Sequence, residues 1–104
     1  MTIKQLSNLY YLGPEIEMHK HRLLNIPDWD TELKDIVEGT LHRCMRERDE
    51  LETYIATIED DFIRDIFIYR FAANMSWREI AIKVGGPWGP TALERLATMF
   101  VKGY

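Results

Sequence analysis

Two pairs of side chains have the chemistry of transition-metal ligands: His19 with His21, and His42 with Cys44. Residues two apart on a helix do not face each other, so neither pair converges on one ion. No metal site is expected, and Cys44 reads as a small apolar core residue. The chain shows no glycine-rich phosphate loop, no nucleophile beside a base and no carboxylate constellation. It is therefore not expected to be an enzyme or to need a cofactor. What remains is recognition chemistry near the C-terminus. Thr91, Glu94, Arg95, Thr98 and Lys102 fall on one face of an amphipathic stretch, opposite the apolar Leu93, Leu96, Ala97, Phe100, Val101 and Tyr104. Guanidinium, ammonium and hydroxyl groups on a helix face suit phosphates and base edges, and a carboxylate there can accept from a cytosine amine.

The elements that must position this face are well marked. Ser76 caps a helix while Glu79, three residues on, reaches back to the Ser76 amide, a reciprocal capping box. Trp77, Ile80, Ala81 and Val84 then recur on one face. Gly85 or Gly86 takes the left-handed conformation that ends the helix, and Pro87 cannot continue it. The next helix begins near Pro90, a favourable first position. Before Ser76, Glu59-Asp60-Asp61 opens a helix whose Phe62, Ile63, Ile66, Phe67, Ile68, Tyr69 and Phe71 leave almost no polar side, so it is expected to be enclosed by others. Ala72-Ala73-Asn74-Met75 connects it to Ser76.

The N-terminal half carries a different pattern. Leu9, Leu12, Ile16, His19, Leu23 and Ile26 step by three and four, as do Val37, Leu41, Cys44, Arg48, Leu51, Ile55 and Ile58. Gly13-Pro14 interrupts the first seam and predicts two helices or a kinked one. Asp28, Asp30 or Thr31 caps the second helix. The two seams predict an antiparallel, coiled-coil-like hairpin of residues 9–26 and 33–58. Arg48, the one charged intruder, is expected to pair with a neighbour such as Asp49 or Glu52, or to fix a dimer register. Leu24, Ile36 and Met45 are left beside the seams and suggest self-association as a homodimer.

Composition sets the frame. A chain of 104 residues, 46% hydrophobic and 29% charged, can bury one compact core. It has no apolar run near the length of a membrane span, no signal-peptide core and a single cysteine, which predicts a cytoplasmic protein without membrane contact. The net charge of −4 is unevenly spread. Residues 1–59 hold 7 basic and 12 acidic side chains, a net of −5, and residues 60–104 hold 6 and 5, a net of +1. The expected fold is all-α: residues 1–59 form the hairpin, for oligomerisation or partner contact, and residues 60–104 form a three-helix helix-turn-helix module.

Arg64-Asp65-Ile66-Phe67-Ile68-Tyr69-Arg70-Phe71, followed by Ser76-Trp77-Arg78-Glu79-Ile80-Ala81, resembles the region 4 helix-turn-helix of bacterial sigma factors. The whole chain is similar to the ArpU-like regulators of phages and prophages, which pair a helical N-terminal segment with this module and often carry a glycine-glycine turn. The resemblance is specific over residues 50–86. It implies a bacteriophage or prophage origin, a bacterial host cytoplasm, and transcriptional control without catalysis. Two departures stand out. Pro87-Trp88-Gly89-Pro90 replaces a polar turn, and Glu94 stands where a basic residue is typical of the family. On this reading Thr91, Glu94, Arg95, Thr98 and Lys102 meet double-stranded DNA in the major groove, Arg78 and Lys83 touch its backbone, and the hairpin contacts RNA polymerase or a second copy. The alternative is a protein-interaction module on a repurposed helix-turn-helix. It would bind a host protein such as RNA polymerase or a defence nuclease through the acidic hairpin and Trp88, without reading DNA.

Overall fold

The computed structural model describes residues 1–103; Tyr104, expected on the apolar side of the last helix, lies outside them. The protein is all-α, with no strand among the described residues. In chain order the helices are α1 (Ile3–Leu6), α2 (Leu9–Asn25), α3 (Thr31–Ala56), α4 (Asp61–Phe67), α5 (Trp77–Val84) and α6 (Pro90–Lys102). A π-helical turn, Ile68–Ala72, prolongs α4. The molecule is elongated, about 60 × 25 × 18 Å. None of the helices described is long and apolar enough to cross a membrane.

The first break in the chain falls at Ser7 and Asn8, not at Gly13-Pro14. Helix α1 exists because Thr2 and Gln5 form a capping box, the Thr2 hydroxyl accepting from the Gln5 amide at 3.1 Å and Gln5 Oε1 accepting from the Thr2 amide at 2.8 Å. Helix α2 then runs uninterrupted through Gly13 and Pro14. Pro14 is exposed, on the side where water can satisfy the carbonyl that its missing amide leaves unpaired.

Helices α2 and α3 pack along each other. Leu9, Leu12, Ile16 and His19 are buried from α2, and Val37, Leu41, Cys44, Leu51 and Ile55 from α3, with Ile58 just beyond it. Arg48 keeps its place in this row half-buried, its Nε 4.0 Å from a Glu52 carboxylate oxygen. The connection between the two helices is set by Asp30, whose carboxylate accepts from the Leu33 amide, and by Asp28, which receives a 2.8 Å hydrogen bond from Lys34 Nζ. Leu24 and Trp29 near this connection are 84% and 81% exposed, and Ile36 is exposed too. Met45 instead packs onto the core.

Helix α4 starts at the Asp60 cap, whose carboxylate accepts from the Ile63 amide at 2.9 Å. It is not enclosed on all sides. Ile66, Phe67 and Phe71 are buried, whereas Phe62, Ile63 and Tyr69 are half-buried and Ile68 is exposed. A π turn follows at its C-terminal end. Ala73 donates its amide to the Ile68 carbonyl at 3.0 Å, an i to i+5 bond, and the residue so accommodated re-aims the side chains that follow. Asn74 then takes a left-handed φ of 56°, which asparagine tolerates better than most residues, and turns the chain toward α5. Phe67 meets Phe71 and Phe100 edge to face at 5.3 and 5.5 Å. One apolar core thereby runs from Leu6 of α1 to Ala97 of α6.

Candidate nucleic-acid interface

Helix α5 is anchored at its start. Ser76 Oγ accepts from the Glu79 amide at 3.1 Å, and a Glu79 carboxylate oxygen accepts from the Ser76 amide at 3.4 Å. Arg70 props the same corner: its guanidinium donates to the Met75 carbonyl at 3.0 Å and lies 5.0 Å from the centre of the Trp77 ring. Ile80 fixes α5 to the core at zero exposure. At the far end Gly85 and Gly86 both have positive φ, 66° and 69°. Added Cβ atoms there would meet nothing within 4 Å, so these glycines answer a demand of backbone conformation rather than of space. Pro90 follows as the first residue of α6, and Leu93 and Ala97 clamp that helix onto α5 and α4.

The burial of Leu93 and Ala97 dictates what α6 shows to solvent. Thr91, Glu94, Arg95, Thr98 and Lys102 come together along one shallow furrow on its outer face. Met99, which sequence reasoning did not include, lines it as well and is exposed. Its position one residue beyond Thr98 was a signal, but a methionine beside an apolar stripe reads as core. The Thr98 hydroxyl donates to the Glu94 carbonyl at 3.0 Å, leaving its lone pairs free to accept. Among the described residues neither Arg95 nor Lys102 forms an ion pair. Against Glu94 these two cations leave the face a net charge of +1.

The other candidates lie elsewhere. Arg78 and Lys83 are exposed on α5 and do not line the furrow; Lys83 Nζ sits 5.3 Å over the Tyr69 ring. Arg64 is taken up by the Ile58 carbonyl, at 2.8 Å, and by the Asp61 carboxylate, as Arg70 is by its own corner. Trp88 leans on Phe62 at 5.3 Å between ring centres and is 36% exposed, so the turn before α6 is packed on α4 while one edge of the indole stays accessible.

A second cluster was not foreseen. His21 and His42 are exposed and apart from their sequence partners, as the two-residue spacing requires. Ligand-type atoms converge instead across the α2 and α3 contact, where Glu15, His19 and Cys44 bring a carboxylate oxygen, an imidazole nitrogen and a thiol within 4.8 Å of one another. The Cys44 thiol donates to Glu15 Oε1 at 3.5 Å, and His19 Nε2 lies 3.5 Å from the same oxygen. Burial first, and the Glu15 carboxylate second, hold the thiol above its ordinary pKa. Only the i to i+4 spacing of Glu15 and His19 was visible in the sequence; Cys44 joins them through the register of two helices. No family model, curated protein or solved structure matches the chain.

Proposed function

We propose that this chain is a DNA-binding transcriptional regulator of the sigma region 4 type, encoded by a phage or prophage. The observation that carries the reading is the outer face of α6, where Thr91, Glu94, Arg95 and Lys102 are exposed and Thr98 is half-buried at the end that borders Met1, Thr2 and Ile3. Helix α5, the glycine turn and α6 form the helix-turn-helix, with α6 as the recognition helix entering the major groove. Arg95 is the principal contact to base or phosphate, and Arg78 and Lys83 bind the backbone outside the furrow. Helices α2 and α3 form an antiparallel hairpin. The nearness of Leu9 of α2 to Glu52, Ile55 and Ala56 of α3, and of Glu15 to Cys44, supports this antiparallel sense. The hairpin serves self-association or contact with RNA polymerase.

The second reading, a host-protein-binding module that does not touch DNA, draws on the exposed Leu24, Trp29 and Ile36 at one end of α2 and α3 and on the net −5 of residues 1–59. Binding to promoter-containing phage DNA over a range of salt separates the two. For the regulator, Arg95→Ala weakens binding by about 1–3 kcal/mol if it reads a base, whereas Arg78→Ala and Lys83→Ala weaken all sequences alike and flatten the salt dependence by about one unit each. Glu94→Lys raises nonspecific affinity, since it replaces a carboxylate facing phosphates with an ammonium. Failure of both wild type and Glu94→Lys to retard this DNA at low salt would overturn the DNA reading and leave the host-protein one.

A further inference from the structure

We propose that Glu15, His19 and Cys44 form a binding site for a divalent transition-metal ion of the zinc type, which clamps α2 to α3. The geometry is close to what such an ion demands. Tetrahedral zinc, with oxygen and nitrogen at about 2.0–2.2 Å and sulfur at about 2.3 Å, sets its ligand atoms about 3.3–3.6 Å apart. Two of the three edges, Glu15 Oε1 to His19 Nε2 and Glu15 Oε1 to Cys44 Sγ, are already 3.5 Å, and the third is within 4.8 Å. Small side-chain rotations complete the triangle without moving either helix.

An independent observation comes from His19. The residue is 5% exposed, and neither Nδ1 nor Nε2 has a hydrogen-bond partner. Buried polar atoms are ordinarily satisfied, so an imidazole held in a helix seam with both nitrogens idle is a group waiting for a ligand. Its Nε2 faces Glu15 at a separation too long for a good hydrogen bond and suitable for sharing an ion.

The donor set fixes the class of ion. A thiolate and an imidazole favour borderline metals over magnesium or calcium, and thiolate plus carboxylate neutralise a 2+ charge in the half-apolar seam. Glu15 is exposed, which provides an entry path and leaves the fourth position to water. On binding, the Cys44 proton passes to solvent, and the metal–sulfur bond replaces the hydrogen bond to Glu15. Because the ligands come from both helices, the ion holds them in one register and stabilises the fold by an amount that grows with the logarithm of its free concentration above the dissociation constant.

The test is a cobalt(II) titration of the whole chain, reduced and stripped with a chelator. The expected result is uptake of one equivalent, with a near-ultraviolet thiolate-to-cobalt charge-transfer band and intense visible bands of a four-coordinate ion, displaced by zinc. Cys44→Ser abolishes the charge-transfer band. Glu15→Gln and His19→Ala each weaken binding by at least about tenfold. Zinc raises the melting temperature of wild type but not of Cys44→Ser. Should the buried His19→Ala fail to fold by circular dichroism, Glu15→Gln at its exposed position carries the comparison. Absence of the charge-transfer band in wild type overturns the site. So does unchanged affinity in both Glu15→Gln and a folded His19→Ala, which would reduce it to a lone thiol binding metal adventitiously.

Discussion

From Leu9 to Ile58 the buried side chains recur every three or four residues along two helices of 17 and 26 residues, whereas beyond Asp60 no helix is longer than the 13 residues of α6. The long pair gains its order from the sum of many equivalent contacts. It therefore absorbs local irregularities: a glycine and a proline in the second turn of α2, an arginine in the seam of α3 and a glycine within its first half. The short helices have no such reserve, because a helix of two turns leaves a large share of its amides and carbonyls without partners inside it. They depend on ends. Asp60, Ser76, Gly85 and Gly103 each close one, and Arg70 braces the corner between two of them. Distributed packing and localised capping thus coexist in one chain, joined where α2 packs on the π turn and α3 on α4.

The largest expected effect comes from breaking the distributed half. Leu51→Ala and Leu41→Ala, each removing a buried side chain from the α3 row, are expected to destabilise the fold by about 2–5 kcal/mol in thermal or denaturant unfolding. An unchanged melting temperature for both would show that the row is not what holds α2 and α3 together. The localised half is probed by Ser76→Ala, which deletes one arm of the capping box and is expected to cost about 1 kcal/mol. Hydrogen exchange sharpens the contrast: the loss of protection is expected in α5 and α6 and not in α3. Equal loss in both regions would mean that the two respond as one unit.

The smallest effect concerns the connection between α2 and α3. Lys34 holds the Asp28 carboxyl below its ordinary pKa, first by a hydrogen bond and then by its charge. A lowered folded-state pKa gives a contribution that is present above the unfolded value of about 3.9 and lost as pH falls through the folded value. Asp28→Asn is accordingly expected to lower the melting temperature slightly at neutral pH and not at all in strong acid, since the pair is exposed and screened. A difference that persists in acid would assign the effect to the backbone of the turn instead of the ion pair.

Much of this was legible before any coordinates. The burial of Val37, Leu41, Cys44, Leu51 and Ile55 follows from side-chain period, and the bounds of α5 follow from Ser76, Glu79 and Gly85, because both signals are local and repeat at fixed spacing. The Thr2 capping box was equally local, Thr-x-x-Gln, but it precedes a helix of only four residues with no apolar period to draw attention to it. The π turn was not legible: Ile66 to Phe71 is apolar but for Arg70, a stretch of the kind that reads as a regular buried helix, and no spacing within it marks an extra residue. In the candidate interface the row on α6 emerged from the helical period alone. The separation of Arg78 and Lys83 from it depends on how α5 is rotated against α6, which no spacing within either helix specifies. The Glu15, His19 and Cys44 cluster is illegible for the same reason, as it needs the relative height of two helices.

The placement of the tryptophans gives the molecule three separate optical reporters. Trp29 stands almost fully in water between α2 and α3, Trp77 lies beneath the Arg70 guanidinium at the start of α5, and Trp88 rests on Phe62 before α6. Their emission therefore differs in colour and in access to quenchers. Iodide reaches Trp29 first, and the red edge of the spectrum belongs to it. A partner meeting the turn before α6 perturbs Trp88, while a partner docking at the exposed end of α2 and α3 shifts Trp29 to the blue. Intrinsic fluorescence of the unlabelled chain thus tells which end of a 60 Å molecule has been touched.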